Sequence, residues 1–295
     1  MSTSRHYQPE QRNQPAVTDR PDIPSASQTW QPGYIANHQA EQSRYLDAVS
    51  ASKFVRQTAV NTMRLLALQP GQRVLEVGCG NGVFLSRLAQ AVAPFGRVVG
   101  IDHAPAFVAE AGHKIVAAGL NAIVSVQQAD AYHLPFRDAS FDASHCERVL
   151  MHLEDPGAVL REMARVVRPG GVVVAAEPDW AGMRIDHADR EAFDLAFARA
   201  LQMRQRDMGL TLYRRMGEIG LVERRYLPAW SIIEDFATLE MYGLHLEPAI
   251  AALAAERALP RDRLQAILPA LNAANTAGRF YAAAAFHVVS GVVPG

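Results

Sequence analysis

The 295-residue chain contains only two cysteines, Cys79 and Cys146. That excludes a disulfide framework and a four-cysteine zinc site, and nothing in it asks for an oxidising compartment. Long apolar runs are missing too. Stretches such as GVVVAA at 171–176 fall well short of the roughly 18–20 residues that span a bilayer. The opening residues, MSTSRHYQPEQRNQP, have no apolar signal-peptide core. Charge of one sign is not in excess, since 29 Lys plus Arg face 30 Asp plus Glu. This balance argues against a basic groove for nucleic acid. The expectation is a cytoplasmic protein with neither a membrane nor a nucleic acid as partner. What is present is 49% hydrophobic and 20% charged residues, enough for a sizeable core in one large or two small domains.

Residues 1–32 form a Pro- and Gln-rich arm, with Pro9, Pro15, Pro21, Pro24 and Pro32 spaced through it. Such a composition cannot recover its ordering entropy by burial, so a flexible arm is expected. Helical spacing then marks two helices, about 36–51 and 52–68, within a segment 33–69 that ends at Pro70-Gly71. From 70 to 233 strands and helices alternate. Strands are expected at 73–77, 97–102, 123–128, 141–146 and 172–177, with 221–233 extended. Alternation of this kind implies right-handed crossovers and a mainly parallel sheet with helices on both faces. Residues 234–278 read as a helical insertion, and 279–295 as the last strand of a seven-stranded, doubly wound α/β sheet.

The sharpest feature is the run Val74-Leu75-Glu76-Val77-Gly78-Cys79-Gly80-Asn81-Gly82, a buried strand passing into alternating glycines and then a helix. Glycines there let a ligand approach the backbone, and the helix start offers free N–H groups. Asp102 closes the second strand twenty residues after Gly82, where a carboxylate can accept hydrogen bonds from a ribose diol. Asp130 and Glu147 follow the third and fourth strands. Ligands of α/β sheets bind at these carboxyl ends. A nicotinamide dehydrogenase is a rival reading, but its G-x-G-x-x-G fingerprint is not matched, because Val83 stands where the third glycine should fall.

Four segments in order resemble the class I S-adenosylmethionine-dependent methyltransferases of small-molecule type: PGQRVLEVGCGNG, GRVVGIDHAP, ADAYHLPFRDASFD and LMHLEDPGAVLREMARVVRPGG. The resemblance implies a Rossmann-like fold and S-adenosyl-L-methionine as cofactor. It implies that Gly78, Cys79, Gly80 and Gly82 wrap the methionine end, with Glu76 supporting its amino group. Asp102 would hold the ribose hydroxyls, and His103 would line the adenosine. Asp130 and the Ala131 backbone would meet the adenine, with Glu147 and Arg148 near the methionyl tail.

Methyl transfer from a sulfonium needs a nucleophile held in line and water excluded, so no strict triad is required. Candidate bases are His152, just past the fourth strand, and Glu177 and Asp179, after the fifth. In the family, additions such as 33–69 and 234–278 form a lid. Tyr34, His38, Trp180, Tyr242 and His245 are the expected substrate contacts. The acceptor is a small organic molecule, such as a specialised metabolite, with O, N or C as the methylated atom. A cofactor-binding or regulatory module that transfers nothing remains the alternative. A homo-oligomer formed through the arm or the lid helices is left open.

Overall fold

The computed structural model describes residues 28–201, 203–241, 244 and 246–295. Most of the expected arm, residues 1–27, lies outside them, as do Tyr242 and His245. The described end of the arm is structured. Gln28–Trp30 is a 3-10 turn that leads directly into helix α1 (Pro32–Ala51), where Pro32 occupies the first turn. Helix α2 (Lys53–Leu66) follows, and the Ser52 hydroxyl accepts the Val55 N–H at its start, 3.3 Å away.

The strands are β1 (Arg73–Val77), β2 (Arg97–Asp102), β3 (Val124–Gln128), β4 (Phe141–Glu147), β5 (Val167–Ile185), β6 (Val222–Ile233) and β7 (Ala282–Val292). Between them lie α3 (Leu85–Val92), α4 (Pro105–Ala117), α5 (Pro156–Val166), α6 (Arg190–Leu201) and α7 (Met208–Glu218). Helices α8 (Phe236–Met241), α9 (Leu246–Ala255) and α10 (Arg261–Thr276) separate β6 from β7. The seven-stranded sheet has the order β3-β2-β1-β4-β5-β7-β6. β1 to β5 run parallel, while β7 is antiparallel to both β5 and β6. The chain winds outward from β1 through β2 to β3, then returns to place β4 on the other side of β1. The β1/β4 boundary is therefore the topological switch point, where such sheets open a crevice beyond their strand ends.

Strand β5 runs longer than the expected 172–177. It pairs with β7 through Asp179, bulges, and resumes at Arg184. The Asp179 carboxylate holds the bulge by accepting the Gly182 N–H at 3.0 Å. One face of the sheet packs α5, α6, α7, α9 and α10 in a large cluster that includes Leu160, Met163, Phe193, Leu212 and Leu264. The other face packs α2, α3 and α4 through Phe54, Val55, Leu88 and Ile115. Both faces of β4 and of the central part of β5 are covered, which accounts for their nearly unbroken apolar sequence. Among the described residues, no helix is long and apolar enough to cross a membrane.

Candidate functional site

A cavity of about 320 Å³ opens at the switch point. One wall is the glycine loop. Gly78 and Gly80 have φ of +72° and +52°, a region that favours glycine. A Cβ on Gly78 would clash with the Val149 side chain, so the loop and the segment after β4 approach each other closely. Gly82 does not line the cavity; it faces Ala111 of α4, where a Cβ would come within 2.9 Å.

Asp102 organises this wall. Its Oδ2 accepts the Gly80 N–H at 2.9 Å, and its Oδ1 accepts the Ala104 N–H at 2.9 Å. His103 Nδ1 sits 3.1 Å from Oδ1, while its Nε2 donates to the Trp30 carbonyl at 2.7 Å. Both ring nitrogens thus face acceptors, and the Asp102 hydrogen bond raises the His103 pKa. Three of the roughly four lone-pair sites of Asp102 are engaged, leaving capacity for a hydroxyl donor from the cavity. Asp130 accepts the Tyr132 N–H at 2.9 Å and lines the same side with Ala131.

The opposite wall is the end of β4 and the turn after it. Arg148 has φ +56°, unusual for a residue with a side chain. Its N–H donates to the Ala176 carbonyl at 2.9 Å, and its Nε lies 3.3 Å from Glu147 Oε1. Burial raises the Glu147 pKa, while Arg148 opposes that shift. His152 faces the cavity with a buried Nδ1 that has no hydrogen-bond partner. Burial, then the charges of Arg148 and His103, push its pKa down to about 3, so the ring is neutral at pH 7.

Glu76 lies at the floor, buried, with Oε2 unpartnered and Oε1 4.0 Å from His145 Nδ1. Burial, followed by the charges of Glu147 and Asp102, raises its pKa well above the ordinary value. A buried carboxyl with a free oxygen at a cavity wall is matched to an ammonium group. An amino-acid-bearing nucleoside therefore fits the residues present: a diol at Asp102, an ammonium at Glu76, and a backbone that approaches closely at Gly78 and Gly80.

The structure brings together Glu76, Gly78, Cys79, Gly80, Asp102, His103, Asp130, Ala131, Glu147, Arg148 and His152 around one cavity. Other candidates lie elsewhere. Glu177 is buried outside the cavity lining, and its Oε1 accepts the Val149 and Leu150 N–H groups at 2.9 and 2.7 Å. It shapes the turn that carries His152. Asp179 holds the β5 bulge and is not part of the lining. Trp180 belongs to the core on the α5–α7 face. Tyr34 and His38 stack on each other at 4.0 Å on α1, outside the cavity lining.

Several lining residues went unnoticed in the sequence reading. Trp30 packs on Tyr45, Phe107 and His152, with ring centroids 5.7, 6.3 and 5.7 Å away, and roofs the cavity. It was the lone tryptophan in an otherwise polar arm, which is the signal that could have found it. Asn81 Nδ2 reaches Ser43 Oγ (2.9 Å) and Asp47 Oδ1 (3.0 Å) on α1 and Glu110 Oε1 (3.3 Å) on α4, tying α1 to the glycine loop. Arg56 on α2 and Arg87 on α3 also line the cavity.

The chain is similar to known proteins in sequence and in fold. A family model described as a methyltransferase domain matches residues 75–175. A protein of Streptomyces fradiae, an uncharacterised 37.1 kDa product of transposon TN4556, is 33% identical over 253 residues, covering 83% of this chain and 69% of that one. A demethylmenaquinone methyltransferase of Bacillus cytotoxicus is 38% identical over 126 residues; the match takes in 42% of this chain and spans about half (53%) of that enzyme. The crystal structure of Haemonchus contortus phosphoethanolamine N-methyltransferase 2 with S-adenosyl-L-methionine shares the fold. Its TM-score is 0.56 at 14% identity, over 90% of this chain and 60% of that one. Strand order, glycine loop and matched sequence define a Rossmann-like cofactor-binding protein. Residues 75–175 form a methyltransferase domain of the class I S-adenosylmethionine-dependent type.

Proposed function

We propose that this protein transfers a methyl group from S-adenosylmethionine to a small organic molecule, with the switch-point cavity as the reaction chamber. The observation that carries the reading is the convergence on one cavity of the paired glycine loop and Asp102, the unpartnered Glu76 oxygen, and the neutral His152. When bound, the cofactor supplies a methyl group already activated by a positive sulfur. Asp102 takes the ribose hydroxyls and Asp130 the adenine amino group, while Glu76 takes the amino group of the methionyl tail. Trp30 and the helices α1 and α2 keep water out, which matters because hydrolysis and loose positioning compete with an in-line displacement. His152 Nδ1 accepts a hydrogen bond from the acceptor's O–H or N–H. With its pKa held low, it orients the nucleophile rather than storing a proton. Glu177 supports this indirectly by fixing the turn on which His152 rides.

The test is calorimetric. The wild type binds S-adenosylmethionine and its demethylated product at micromolar levels. Gly80→Val and Asp102→Ala weaken both by more than about 100-fold while melting cooperatively. Unchanged affinity in both folded variants rejects the site. Tight cofactor binding with no release of demethylated cofactor across acceptor extracts assigns the protein to the binding-module alternative.

A further inference from the structure

Resting on that reading, we propose that the methyl acceptor is an amphipathic anion, its carboxylate or phosphate held by Arg56 and Arg87 and its apolar body packed on the wall between them. Arg56 stands in the first turn of α2 and Arg87 in the first turn of α3, and both line the cavity. Neither side chain has a hydrogen bond or ion pair among the described residues. Both are exposed, so they stand at the rim of the cavity and reach its opening from two different helices. The third cavity arginine, Arg148, lies against Glu147, and elsewhere Arg165 and Arg263 each engage two carboxylates.

The acidic groups of the cavity do not answer these two charges. Glu76, Asp102 and Asp130 belong to the cofactor side in the reading above, and Glu147 is taken by Arg148. Arg87 is close enough to lower the Glu147 pKa, yet makes no ion pair with it. The surface beside them is apolar: Val55 and Ala59 from α2, Val83 and Phe84 from the start of α3, and Tyr45 from α1. A guanidinium fork recognises carboxylate and phosphate alike through paired N–H donors. A bound sulfonium cofactor would add to the same attraction. An anion with a hydrophobic body meets every part of this wall, whereas a neutral or cationic acceptor leaves the two guanidinium groups to solvent.

The full chain saturated with S-adenosylhomocysteine is titrated with 1-naphthoate, 1-naphthyl phosphate and the neutral 1-naphthamide. At least one anion should bind about tenfold more tightly than the amide, and the stronger of the two identifies carboxylate or phosphate as the group recognised. Arg56→Gln and Arg87→Gln should bring that preference to within about twofold, and Arg→Lys at either position should keep part of it. Affinity for S-adenosylhomocysteine should change by less than about threefold in all four variants. Equal binding of amide and anions, no anion binding at millimolar concentration, or an anion preference that survives both glutamine variants overturns the proposal. So does a parallel fall in S-adenosylhomocysteine affinity, which would give the arginines to the cofactor's own carboxylate. Wild-type affinity for S-adenosylhomocysteine, measured first, separates failure of this proposal from failure of the cofactor reading.

Discussion

Two helical additions flank the sheet, α1–α2 before it and α8–α10 between β6 and β7, and they are built differently. Tyr45, Leu46, Ser50, Val55, Arg56 and Ala59 of α1–α2 line the cavity, and Asn81 ties α1 to the glycine loop by polar contacts. No described residue of α8–α10 lines it. Leu246, Ile250, Leu253, Leu264, Ile267 and Leu271 instead join the core with Phe193 and Phe197 of α6, and Arg263 pairs with Asp189 and Glu191 at the rim. Buried polar atoms without a hydrogen-bond partner at the cavity or its supports include Glu76 Oε2, Asn81 Oδ1, His152 Nδ1 and Glu177 Oε2, while Thr62 Oγ1, His187 Nε2 and His287 Nε2 lie away from it. Native structures leave few buried polar atoms unpaired, and the ones that face the cavity, Glu76 Oε2 and His152 Nδ1, are placed where a ligand can complete them. The α1–α2 addition is built for a ligand, and the α8–α10 addition for stability.

That division can be broken by paired substitutions. Leu264→Ala in α10 should cost about 2–5 kcal/mol of stability, by chemical denaturation, yet leave S-adenosylhomocysteine affinity unchanged at a temperature where it is folded. Asn81→Ala should do the reverse: about a tenfold (1.4 kcal/mol) loss of affinity by calorimetry, with a smaller change in stability. If Leu264→Ala weakens binding as much as Asn81→Ala does, the two additions are not separable.

A smaller effect comes from Glu177. Burial holds its pKa at about 8, against 4.5 ordinarily, so the folded protein binds a proton there that the unfolded chain releases. The stabilising contribution is complete below pH 4.5 and is lost as pH rises through 8. Glu177→Gln keeps an oxygen to accept the Val149 and Leu150 N–H groups but removes the titration. From pH 5 to pH 9 the wild-type Tm should therefore fall a few degrees further than that of Glu177→Gln. Parallel curves would show that this carboxyl is ionised in the fold.

The sequence made the cofactor side legible because backbone approach demands glycine and a ribose demands an acid at the strand end. Both are local requirements written in consecutive residues, 76–82 and 97–102. The acceptor side was harder to read. Glu177 and Asp179 do stand at the carboxyl end of β5, but side chains alternate across a strand, and Glu177 shares the face of Val173 and Ala175, which is the α5–α7 core. Position along a strand does not say which face a residue serves. The insertion at 234–278 was expected as a lid because it flanks the core in sequence, as such additions do in the family it resembles. It emerges from β6, an edge strand, with β5 and β7 between β6 and β4, so its helices dock on α6 rather than over the switch point. Arg56 and Arg87 carry no motif of their own, and only the packing of α2 and α3 at the strand ends brings them to one cavity rim.

Co-crystallisation with S-adenosylhomocysteine tests the central claim most directly. The account predicts the ribose hydroxyls on Asp102, the amino group on Glu76, and the sulfur facing a space bounded by Arg148, His152 and Arg87. A nucleoside bound anywhere else, or a switch-point cavity closed by the protein's own side chains in that complex, would contradict it.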